Sequence, residues 1–77
     1  MTTLINYLKD NKGKCVWISL SKTGKRKKRQ LRIVSIKIGK FNTACFMDGQ
    51  DIFIYEFGMF KIYECTDYSL MTFKEIN

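Results

Sequence analysis

The chain has 77 residues, with 14 Lys+Arg against 7 Asp+Glu, no His, no Pro and three Cys, for a formal net charge of +7. A chain this short supports one small domain with a modest margin of stability. At 45% hydrophobic and 14% aromatic it is too apolar for a disordered basic tail, and the missing His excludes Ser-His and Cys-His nucleophile pairs and imidazole zinc sites.

The charge is unevenly spread. Residues 1–40 carry 12 Lys+Arg and a single acid, Asp10, a balance of +11; residues 41–77 carry two Lys and six acids, a balance of −4. Such asymmetry points to a basic pole that meets an anionic partner.

In chain order, residues 3–11 (TLINYLKDN) place Leu4, Ile5 and Leu8 at helical spacing. Thr2 or Thr3 serves as N-cap and Gly13 as the stop. At Cys15 the period changes to two: Val16, Ile18 and Leu20 share one face of a strand, and Cys15, Trp17 and Ser19 the other. A polar loop around Gly24 leads to a second strand, roughly Leu31–Ile38. There Val34, Ile36 and Ile38 are out of phase with Leu31 and Ile33, which predicts a bulge or a strong bend. Gly39-Lys40 turns into FNTACFM, Asp48-Gly49 signals a hairpin into DIFIYEF, and Gly58 marks the turn into MFKIYEC. The final TDYSLMTFKEIN fits an edge strand or a short helical cap equally well.

One helix followed by five short, bent strands predicts a mainly β fold, a small SH3-like or Sm-like five-stranded antiparallel barrel. Residues 1–77 then form a single domain, with a helix at 3–11, a barrel at 14–66 and a C-terminal tail at 67–77. No apolar run approaches the roughly 20 residues of a membrane span, and the N-terminus lacks the pattern of a signal peptide. Cys15, Cys45 and Cys65 lie in apolar runs without metal-site spacing. Buried free thiols and a cytoplasmic location are therefore expected.

The sequence GKCVWISL, the charged loop TGKRKKRQ, then LRIVSI, FNTACFMDG and DIFIYEFGMFKIYE resembles, over residues 4–64, the Sm-like barrel core of WYL domains. In that family a helix precedes the first strand, a charged loop reaches an Arg, and the last strand ends in a basic-Ile pair. Here those places fall to Arg29 and Lys61-Ile62. The Trp-Tyr-Leu triplet is absent, and Phe53 and Glu56 stand where such domains carry basic residues, so of the ligand-binding positions Arg29 alone carries over. The resemblance implies a nucleic-acid or nucleotide binder.

The strongest functional feature is the loop with Lys22, Lys25, Arg26, Lys27, Lys28 and Arg29, six cations within eight residues. Their mutual repulsion is relieved by a polyanion, whose affinity then falls steeply with salt. With Arg32 they form the candidate phosphate contacts. The ten aromatics from Trp17 to Phe73, of eleven in the chain, exceed what so small a core absorbs, and Trp17 and Tyr55, each with a polar handle, are the candidate stacking residues for bases. The Asp48 and Asp51 carboxylates read as turn chemistry, and SKTGKRK lacks the first Gly of a P-loop. Neither catalysis nor a cofactor or metal is expected. The leading expectation is a small basic module binding single-stranded RNA or DNA with low sequence specificity. Two alternatives remain open: a phage or mobile-element accessory or inhibitor protein docking on an acidic protein surface, and a nucleotide-sensing WYL-type domain. The aromatic surface also suits a homodimer contact.

Overall fold

The computed structural model describes residues 2–20 and 27–77. It comprises α1 (Thr2–Asp10) and six strands: β1 (Cys15–Ser19), β2 (Arg29–Lys37), β3 (Thr43–Asp48), β4 (Asp51–Glu56), β5 (Lys61–Asp67) and β6 (Thr72–Ile76). All pairings are antiparallel, in one sheet of order β4-β3-β2-β1-β5-β6. Among the described residues no helix is long and apolar enough to cross a membrane.

α1 ends where the sequence predicts. Gly13 adopts a left-handed φ of 87°, a conformation that costs glycine little. Its N–H donates to the Ile33 carbonyl at 2.8 Å, and the Ile33 N–H donates to the Lys14 carbonyl at 2.9 Å. These two bonds lash the helix end to β2, while Leu4 and Leu8, one turn apart, enter the core.

The inner face of the sheet alternates as expected: Val16 and Ile18 of β1, Leu31 and Ile33 of β2, Ala44 and Phe46 of β3 and Ile62 of β5 are buried. The phase conflict in β2 resolves as a register shift between Ile33 and Ser35, so that Ile36 also turns inward opposite Ala44. The Asp48-Gly49 hairpin forms with Asp48 opposite Asp51 and Gly49 at φ 62°, matching the positive φ that a two-residue turn with a leading glycine requires.

The closed five-stranded barrel does not form. Its closure needs a free edge on β5, but that edge is taken by β6, the tail segment whose structure the periodicity left undecided. The result is an open sheet that is nonetheless strongly curled. Four strand spacings separate β4 from β5 in sheet order, about 19 Å if the sheet were flat. The connection Phe57–Phe60 contains a turn closed by the Met59 N–H on the Glu56 carbonyl at 3.0 Å, so it is too short to cross that distance. Curling brings Phe60 into the core, with its ring 5.5 Å from Phe46 and from Phe57, both edge-on.

Candidate nucleic-acid interface

α1 packs on the inner face, against β2 and β6, and among the described residues no layer covers the other side. Strand alternation sends Trp17, Tyr63 and Cys65 to this outer face, with Trp17 directly opposite both Gln30 and Tyr63 and Cys65 opposite Phe73. Trp17 and Phe73 meet edge to face at 5.2 Å, and Tyr63 meets Phe73 in the same manner at 6.4 Å. Each such pair contributes about 0.5–1.5 kcal/mol beyond simple burial. All three rings are half-buried.

Over this triad lies Lys28, its Nζ 4.5 Å from the centre of the Tyr63 ring and 5.0 Å from that of Phe73. An ammonium at this range gains roughly 0.5–1 kcal/mol at an exposed site. Alternation sends the next residue the other way. Arg29 pairs with Asp48 at 3.2 Å and sits 4.9 Å over the Phe53 ring. Both partners of that ion pair are about half exposed, so it contributes well under ~1 kcal/mol. Lys27 is exposed. Arg32 is also exposed and donates from Nη1 to the Gly13 carbonyl at 2.6 Å, which holds it beside Lys12 and Lys14 at the opposite end of the β1–β2 ladder.

Lys22, Lys25 and Arg26 lie outside the described residues. Of the remaining candidates, Trp17 and Lys28 come together on the outer face. Tyr55 does not join them: it stands opposite Ala44 on the inner face, 6.2 Å from both Phe46 and Phe53 and 6.3 Å from Phe60. Tyr63 and Phe73, which complete the triad, were missed in the sequence. The outward phase of KIYEC holds the signal for Tyr63; Phe73 sits in the undecided tail.

The indole Nε1–H of Trp17 is buried with no acceptor among the described residues. Beyond the Trp17/Tyr63 pair, β1 and β5 part, leaving an open cleft of about 150 Å³ whose lining includes Tyr7, Cys15, Trp17, Gln30, Tyr63 and Glu64. Burial of the Tyr7 hydroxyl, and secondarily the Glu64 carboxylate, raise its pKa above the ordinary phenol value. The three thiols are free, but they are not core residues: Cys15 is exposed and Cys45 and Cys65 are half-buried, because all three fall in the outward phase of their strands. Among the described residues no group of three His, Cys, Asp or Glu side chains could hold a metal ion.

No family model, curated protein or solved structure matches this chain.

Proposed function

We propose that the protein binds single-stranded nucleic acid across the outer face of its sheet, with little sequence specificity. The carrying observation is Lys28 poised over the Tyr63 and Phe73 rings, at the root of the cation-rich segment 22–29. A lysine held by a cation–π contact of about 1 kcal/mol transfers readily to a phosphate. Its departure uncovers two ring faces on which bases of any sequence stack. Lys27 and Arg32, and the segment 22–26, supply further charge for the backbone, which positions the strand without reading it. The element order that resembles WYL and Sm-like domains supports this reading by analogy alone.

The test is binding of labelled single-stranded DNA and RNA across a salt series, for the natural chain and for a variant with Lys27→Gln, Lys28→Gln and Arg32→Gln. The plot of log affinity against log salt loses about 0.7 of slope per phosphate contact removed, so the variant is expected to be both weaker and less salt-sensitive. Equal slopes in the two proteins would refute the proposal. Partners retained from a nuclease-treated lysate would instead favour an acidic protein surface, and a melting temperature raised by mononucleotides alone would favour nucleotide sensing.

A further inference from the structure

The β4 edge of the sheet is as distinctive as the outer face. Among the described residues β4 has one neighbour, β3, and its register to β3 runs unbroken from Asp51 to Glu56. The strand contains no Lys, Pro or bulge, the devices by which exposed edges normally avoid pairing. On the outer face it presents Ile52 and Ile54, 62% and 67% exposed. The backbone orientation is fixed by the Phe57 N–H, which donates to the Asn42 carbonyl on the β3 side at 3.0 Å. Odd-numbered residues of the strand therefore direct their N–H and C=O groups at β3, and Ile52 and Ile54 direct theirs at the open edge.

We infer that β4 joins two copies of this chain, antiparallel about a two-fold axis at Phe53. In an antiparallel pair, facing residues must both point their backbone groups toward the partner or both away, which excludes every register that pairs an odd with an even residue. Among those remaining, the register centred on Phe53 sets each Ile52 opposite the partner copy's Ile54. Both isoleucine pairs then exchange backbone hydrogen bonds and cover each other's exposed side chains. Charge fits the same register: Asp51 meets Tyr55 and Glu56 meets Gln50, so no like charges face each other, and each Arg29 beside the axis already carries its own Asp48. Shifting by one pair so that Ile54 faces Ile54 sets Ile52 against Glu56, and the opposite shift leaves Ile54 against Gln50. The two-fold axis runs perpendicular to the joined sheet, so both outer faces lie on the same side. This inference does not depend on the nucleic-acid reading.

The contact is one strand long and smaller than a standard interface, so association is concentration-dependent. Sedimentation equilibrium of the full chain over a wide concentration range is expected to show twice the chain mass at the upper end. Ile54→Lys weakens dimerisation at least about tenfold while keeping the monomer fold, because the side chain is exposed. Leu70→Lys, at the distant β5–β6 turn and 73% exposed, leaves it unchanged. Amide exchange of the natural protein provides a readout free of mutation: the Ile52 and Ile54 N–H groups gain protection as concentration rises. A chain monomeric throughout, a dimer indifferent to Ile54→Lys, loss of the dimer in Leu70→Lys, or unprotected Ile52 and Ile54 amides would each overturn the assignment.

Discussion

Both faces of the sheet carry aromatic residues but hold them differently. On the inner face Phe46 and Phe60 are buried to 0% and 4% exposure and pack with Tyr55 and Phe57 inside a continuous apolar cluster. On the outer face Trp17, Tyr63 and Phe73 are half-buried and roofed by a lysine, and the buried indole donor has no acceptor among the described residues. Burial and shape explain the first set completely. The second set has the Lys28 ammonium where a core would have methyl groups, which is how an adaptable contact surface is built rather than a core.

That difference makes its largest prediction in stability. Phe46→Ala removes the centre of the inner cluster and is expected to cost about 3–5 kcal/mol, enough to unfold much of so small a domain. Gln30→Ala, exposed on the outer face, should stay within about 0.5 kcal/mol of the natural protein. Urea denaturation measures both, and comparable losses would erase the distinction between the faces.

Next in size is a contrast between two tyrosines. Tyr63→Leu should weaken binding of single-stranded nucleic acid by about 1–3 kcal/mol, the worth of one stacked base. Tyr55→Leu should lower stability and leave the affinity of the folded fraction unchanged. The reverse pattern would move the binding surface to the other face.

The smallest effect concerns pH. The folded-state pKa of Tyr7 is raised, by burial first and Glu64 second, so the stability it contributes is fully present below the ordinary phenol pKa of about 10. It is lost as pH rises through the higher folded-state value, because the unfolded chain gives up the proton more readily. Tyr7→Phe should therefore lose less stability than the natural protein between neutral pH and pH ~11. Identical losses would show that the hydroxyl is solvated in both states.

Much of the fold was legible in particular residues. Gly13 marks the helix stop, Asp48-Gly49 the hairpin, and the change of phase between Ile33 and Ile36 the bulge. Two things were not legible. In DIFIYEF both phases are apolar, and only the pairing of Tyr55 with Ala44 settles that the aromatic phase turns inward. In TFKEI each face of the strand mixes one apolar and one charged residue, so nothing local separates strand from helix. Yet that segment both caps β5, which prevents barrel closure, and supplies Phe73 to the outer triad. Periodicity assigns residues to phases within a strand; it carries no information on which strand lies beside which. For that reason the sequence offers Trp17 as a candidate without its ring partners Tyr63 and Phe73.

Trp17 is the only tryptophan in the chain and belongs to the proposed stacking surface, so its emission reports directly on the central claim. Titration of the protein with a single-stranded oligonucleotide at several salt concentrations is expected to shift or quench that emission at saturation, with a midpoint that moves to higher oligonucleotide concentration as salt rises. Emission that does not change at saturation, or a midpoint indifferent to salt, would contradict the assignment of the outer face as a nucleic-acid interface.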